Sequence, residues 1–299
     1  MSQRYLHIQP FLDYLKFEKR FSQHTILSYQ TDLISFFDFI QTTFGDTSTA
    51  QLTHTFIRSW LASLKEGGMM AKSINRKIST LRSFFKYEMK RGALGQSPMA
   101  KVSAPKVEKR LPQFVADKDI ATLFNHVTFT DDWKGKTERL LLLIFYNTGM
   151  RLSEVIQLKH SNIDYSALSI KVLGKGNKER IIPVNKTLLT ELKSYEEEKA
   201  SFINPDQNAV LLITDKGKPL APRSVYTSVK KYLSLITTIE KRSPHILRHT
   251  FATHLMNNGA DLNAVKELLG HSSLASTQVY THNTIEKLKN IHKKAHPKA

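Results

Sequence analysis

The sequence predicts a mainly α protein in two domains, the second carrying a small β-hairpin or sheet insert. Three observations predict this. Apolar residues recur at helical spacing along both halves of the chain. A basic stretch at 97–112, with three prolines, interrupts that spacing. One segment, 169–184, instead alternates apolar and polar residues on either side of a Gly/Asn turn.

The elements follow in order. Residues 3–20 read as a helix, with Tyr5, Ile8, Phe11, Leu12, Leu15 and Phe17 near helical spacing. Ser22 can cap the next helix, whose stripe is Ile26, Leu27, Leu33, Phe36, Phe37 and Ile40. A third helix runs near 54–66 and stops before Gly67-Gly68. A fourth begins at Ala71 and is stopped by Gly92, with Ile74, Ile78, Leu81, Phe84 and Phe85 inward. Lys72, Arg76, Lys77, Arg82 and Lys86 lie on its other faces. The first domain is therefore read as 1–96. The linker 97–112 is kept extended by its prolines, and Lys106, Lys109 and Arg110 suit it to lie along a phosphate backbone. The second domain, 113–299, holds the apolar run Leu140–Tyr146, too short for a membrane span of roughly 20 residues and so a buried helix segment. In the hairpin, Ile170 and Val172 alternate before the turn, Ile182 and Val184 after it, and Lys175 sits at or beside the turn. Helices resume near 186–199, 222–237, 245–257, 262–269 and 274–290.

Composition narrows the function. The formal net charge is +18 over 299 residues, which calls for a polyanionic partner, nucleic acid before an anionic membrane surface. The charge is shared: residues 1–110 carry 17 Lys+Arg against 8 Asp+Glu, and 111–299 carry 27 against 18, a balance of +9 in each part. Two domains that both touch one polyanion give that split; a basic tail on a neutral enzyme does not. There is no cysteine, which excludes disulfides and thiolate metal sites and suits a cytoplasmic location. The N-terminal stretch lacks the apolar core of a secretion signal.

Six residues form a set suited to one reaction, attack of a tyrosine hydroxyl on a DNA phosphodiester. Arg151, in TGMRLSE, and Arg248 offer planar guanidinium forks that match phosphate. His245 stands three residues before Arg248 at a helix start marked by Pro244, so both can face one ligand. His271 follows Gly270, a residue able to end a helix in a left-handed cap. Tyr280, in LGHSSLASTQVYTH, is the candidate nucleophile and needs cations or a base nearby to attack. Lys175, flanked by Gly174 and Gly176, is the candidate general acid for the leaving oxygen. Lys178 and Arg180 are rival cations, read as contacts to the DNA backbone. Each residue alone has a plainer reading in packing or surface charge. His245, His249 and His254 do not form a His-Glu-x-x-His pattern and no carboxylates cluster, so no metal site is expected and His249 and His254 are read as packing residues.

The words TGMRLSE, GKGNKER, HILRH and LGHSSLASTQVYTH, in that order, resemble the tyrosine recombinase, or phage integrase, family, and most closely its Xer-type members. The resemblance covers nearly the whole chain and all six catalytic positions are filled. It implies a helical SAM-like core-binding domain followed by a tyrosine recombinase catalytic domain, together forming a clamp around DNA. It also implies a 3′-phosphotyrosyl intermediate, no cofactor, and a homo- or hetero-tetramer with a related recombinase on two synapsed double-stranded DNA sites. For Xer-type members it implies chromosome dimer resolution at a dif-like site under an FtsK-type DNA translocase. A mobile-element integrase or invertase shares the fold, a type IB topoisomerase shares the chemistry, and a clamp without catalysis would not need all six residues.

Overall fold

A computed structural model describes residues 7–107, 113–174, 179–201, 210–270 and 295. Tyr5, Lys109, Arg110, Lys175, Lys178, His271, Tyr280 and the helix expected over 274–290 lie outside the described residues. The chain divides into two compact units, Met1–Arg110 and Leu111–Ala299.

The first unit is helical. Helix α1 (Gln9–Asp13) runs into a π-helical turn, Tyr14–Glu18, and is followed by α2 (Gln23–Phe44), α3 (His54–Glu66) and α4 (Ala71–Lys90). Ser22 caps α2 by accepting from the Thr25 amide at 3.4 Å. Phe11, Leu33, Phe36, Trp60, Leu81, Phe84 and Phe85 are fully buried in its core. Two expected core positions are corrected. Phe17 is 67% exposed and Leu27 54% exposed. Each stands one or two residues from a buried neighbour, Leu15 or Ile26, and successive helical residues point about 100° apart. The prolines of the 97–112 stretch do not release it at once, because Met99 and Val102 are buried in this same core. Arg58 and Arg82 donate to the Lys101 and Val102 carbonyls.

The second unit holds α5 (Asp117–Asn125), α6 (Trp133–Thr148), α7 (Leu152–Ile156), β1 (Ile163–Asp164), β2 (Ser169–Leu173), β3 (Glu179–Pro183), α8 (Lys186–Ala200), α9 (Pro222–Ile236), α10 (Pro244–Asn257) and α11 (Leu262–Leu269). The strands form an antiparallel sheet in the order β1-β2-β3, with Ile170 opposite Ile182 and Val172 opposite Arg180. The expected hairpin is thus a three-stranded sheet; β1 has only two residues, too few to show an alternation. Helix α6 is buried along nearly its whole length, including Leu140, Leu141, Leu142, Ile144 and Phe145, and α10 packs on it. The buried His254 of α10 approaches the Val115 carbonyl through Nε2 at 2.8 Å, and the Asp117 carboxylate and Tyr146 hydroxyl through Nδ1. Thr250 accepts from the Val115 amide. His254 therefore is a packing residue that ties the start of this unit to α10. Among the described residues no helix is long and apolar enough to cross a membrane.

Candidate active site

Four helix ends and one strand meet around a cluster of arginines. Helix α6 ends at Gly149, whose φ of 59° is left-handed, and the chain turns at once into α7 with Arg151 as its N-cap residue. The Arg151 backbone N–H donates to Glu154 Oε2 at 2.7 Å and its Nη1 donates to Glu154 Oε1 at 2.9 Å. A carboxylate three residues into a helix is well placed to bind the N-terminal amides. The remaining side of Arg151 stays open: the side chain is 35% exposed.

Arg248 stands one turn into α10 and is 5% exposed. Its Nη1 donates to Gly149 O and its Nη2 to Leu269 O, both at 2.6 Å. Arg180, on β3, donates through Nε to Leu268 O at 2.8 Å and through Nη1 and Nη2 to the two oxygens of Glu154, at 2.9 and 2.8 Å. Arg151 Nη2 donates to Gly270 O at 2.9 Å. Three consecutive carbonyls at the end of α11, those of Leu268, Leu269 and Gly270, therefore accept from three different arginines. This is where a helix has unpaired acceptors and the negative end of its dipole. Gly270 makes the exit possible, with φ 64° in the left-handed region.

The charges explain the titration of the cluster. Burial alone would raise the Glu154 carboxyl, but hydrogen bonds from Arg180 and from the Arg151 amide hold it down at about 2. Burial pushes Arg248 down to about 10, helped by repulsion from Arg151 and Arg180 and opposed by Glu154. Among the described residues three guanidiniums against one carboxylate leave a surplus of positive charge, an arrangement able to stabilise an anion that gains charge. His245 opens α10 with its side chain exposed. The neighbouring His249 is pushed below the ordinary imidazole range by burial and by His245.

Of the expected catalytic residues, Arg151 and Arg248 come together on the α11 terminus, and His245 stands about one turn before Arg248 on α10. Lys175, His271 and Tyr280 lie outside the described residues. Two expected DNA contacts are corrected. Lys77 is 6% exposed and its Nζ donates to the fully buried Asp32 at 3.0 Å; its position falls on the inner face of α4. Arg180 is 3% exposed with its donors spent on Glu154 and Leu268. Arg76 is half exposed but anchored, donating to Asp32 and Ser28. Lys72, Arg82 and Lys106 are exposed. Sequence reasoning missed Glu154, although its place three residues after an arginine N-cap was a readable signal.

Residues 113–287 match the phage integrase family and residues 8–92 match its N-terminal SAM-like domain. The chain belongs to the phage integrase family. It is 37% identical to a tyrosine recombinase XerC of Oceanobacillus iheyensis, over 100% of this chain and 98% of that one. It is 33% identical to a XerC of Chlorobaculum parvum, over 98% of this chain and 94% of that one. Its fold is that of the XerH site-specific recombinase bound to difH substrate in a pre-cleavage complex, with a TM-score of 0.67 and 24% identity over 88% of this chain and 78% of that one. As a tyrosine recombinase the chain is an enzyme that cuts and rejoins DNA at specific sites.

Proposed function

We propose that this recombinase resolves chromosome dimers at a dif-like site in the cytoplasm. It acts as a tetramer, with itself or a related recombinase, on two synapsed duplexes under an FtsK-type DNA translocase. Similarity to XerC proteins along the whole chain supports the role. The observation that carries the chemistry is the meeting of Arg151 and Arg248 on the Leu269 and Gly270 carbonyls, immediately before His271. Both guanidiniums then flank the point from which the chain runs on to Tyr280.

In this reading Arg151 and Arg248 hold the nonbridging oxygens of the scissile phosphate, each such fixed donor contributing roughly 10²–10³ in rate. The Tyr280 hydroxyl attacks phosphorus and gives up its proton to an imidazole, His245 or His271. The new bond joins the phenolic oxygen to phosphorus while the bond to the 5′-oxygen breaks, and Lys175 protonates that oxygen. A 5′-hydroxyl from the partner strand then attacks the 3′-phosphotyrosine and restores the phenol. The phosphodiester energy is held in the adduct, so no nucleotide is consumed.

The test is to trap covalent adducts across the host genome with the wild-type chain and with Tyr280→Phe. Wild-type adducts concentrated at one dif-type locus and none with Tyr280→Phe are expected. Adducts at the ends of a mobile element would move the role to an integrase of the same fold. Persistent adducts with Tyr280→Phe would remove Tyr280 as the nucleophile.

A further inference from the structure

Arg180 has no surface to offer a duplex. Its side chain is 4% exposed, as is that of Glu154, and the two meet as a bidentate pair in the interior. Its third bond, from Nε to Leu268 O, crosses from β3 to the end of α11. It also packs on the residue that ends α11: a Cβ on Gly270 would come within 3.1 Å of Arg180 Cδ. One guanidinium thus touches the carboxylate that holds Arg151, and the backbone that both Arg151 and Arg248 hold.

We propose that Arg180 is a positioning residue for strand cleavage, which neutralises Glu154 so that the charge of Arg151 is left for the phosphate, and locks the α11 terminus against that carboxylate. The proposal rests on the reading of Arg151 and Arg248 as the phosphate clamp. The physical reason is competition. Glu154 has two oxygens to satisfy in a buried place, and without Arg180 the nearest donors are those of Arg151. The carboxylate would then draw Arg151 toward itself and away from an incoming anion. A planar fork with a third donor on Nε can satisfy both carboxylate oxygens and a carbonyl at once. A lysine ammonium is a point charge and cannot hold that geometry.

The experiment uses the full chain and a nicked duplex carrying the chromosomal dif-type sequence. It measures Kd by gel shift, the single-turnover rate of covalent adduct formation, and Tm, for Arg180→Lys, Arg180→Ala, Glu154→Gln and the Arg180→Lys/Glu154→Gln pair. Arg248→Ala is run alongside. Arg180→Lys is expected to bind with unchanged affinity and salt slope yet cleave about 10–100-fold more slowly, the loss typical when a group that orients a ligating side chain is removed. The paired variant should be no slower than the worse single variant, because both act through one bond. If Arg180→Ala does not fold, Arg180→Lys decides. A wild-type cleavage rate in Arg180→Lys overturns the proposal. So do additive losses in the pair, or a rate that recovers fully once the variant is cooled well below its Tm. Affinity and salt slope that fall together with the rate would return Arg180 to the DNA backbone. If Arg248→Ala itself cleaves normally, the clamp reading fails; if Arg248→Ala is inactive and Arg180→Lys is normal, only this inference does.

Discussion

Replacing Gly149 by alanine tests how the arginine cluster is built. Gly149 ends α6 with φ 59°, a conformation that costs an L-residue roughly 1–2 kcal/mol. Its carbonyl accepts from Arg248 Nη1. An added Cβ would overlap Phe251 Cδ1 and lie 2.9 Å from Phe251 Cε1 and 3.0 Å from Leu269 Cδ2. Both side chains are buried, at 0% and 6% exposure, so neither can swing into solvent. Forcing extra volume into such packing costs about 1–3 kcal/mol. Gly149→Ala should therefore destabilise the second unit by roughly 2–5 kcal/mol.

Gly259 supplies the control. Its φ is 86° and nothing lies within 4 Å of a Cβ built there, so Gly259→Ala should show the backbone cost alone, about 1–2 kcal/mol. Urea unfolding of both variants reads the difference, which is the packing part. Function should separate them further. Phe251 lies three residues after Arg248 on α10, and Leu269 carries the other carbonyl that Arg248 holds. Gly149→Ala should thus slow strand cleavage even at temperatures where it is folded, while Gly259→Ala should not. Equal stability losses in the two variants, or normal cleavage by Gly149→Ala, would refute the reasoning.

The charge arrangement gives two more predictions. Glu154 titrates at about 2 in the folded chain against an ordinary value of 4.5, so between those values the unfolded chain binds a proton that the folded chain does not; the resulting stabilisation, about 3 kcal/mol, is complete above pH 4.5 and is lost as pH falls toward 2. Glu154→Gln should flatten the acid side of the urea stability profile, and parallel profiles would show that the pair does not set it. In the first unit, Lys77→Ala should cost roughly 3 kcal/mol by breaking one arm of a buried pair, whereas Lys72→Ala should leave stability within about 0.5 kcal/mol and lower the salt slope of DNA binding by about 1. A stability-neutral Lys77→Ala would restore that lysine to the surface.

Legibility in the sequence followed signal length. Helices α2, α4, α8, α9, α10 and α11 each run eight residues or more with a repeating apolar face, and the sequence marks their ends with Ser22, Gly92, Pro244 and Gly270. Strand β1 has two residues, and the π-helical turn at Tyr14–Glu18 differs from an α-helix by one hydrogen-bond step, so periodicity has nothing to register in either. Basic residues on α4 were harder to sort. Lys77 sits beside Ile78 and one turn after Ile74, and the buried Asp32 on another helix, with the Trp60 ring 5.4 Å from its Nζ, explains how a lysine is tolerated there. A cation's partner is a tertiary fact, and charge counting along a chain cannot supply it.

The same limit explains what was misread at the site. Arg151, Arg248 and Arg180 are all permanent cations, and the sequence offers no way to rank them by exposure. In the fold the Arg151 side chain is 35% exposed, while Arg180 and Arg248 are both buried, at 3% and 5% of the whole residue. Arg180 faces a carboxylate with both arms of its fork, so its charge is cancelled locally. Among the described residues Arg248 donates to two carbonyls, which orient a guanidinium without neutralising it, and burial, with Arg151 and Arg180 close by, lowers its affinity for the proton. Arg151 shares Glu154 with Arg180 and remains open on one side. In the reading of Arg151 and Arg248 as the phosphate clamp, three guanidiniums against the one carboxylate of Glu154 would favour a dianionic phosphorane over the monoanionic ground state. That difference, rather than affinity for DNA as such, is what accelerates a phosphoryl transfer.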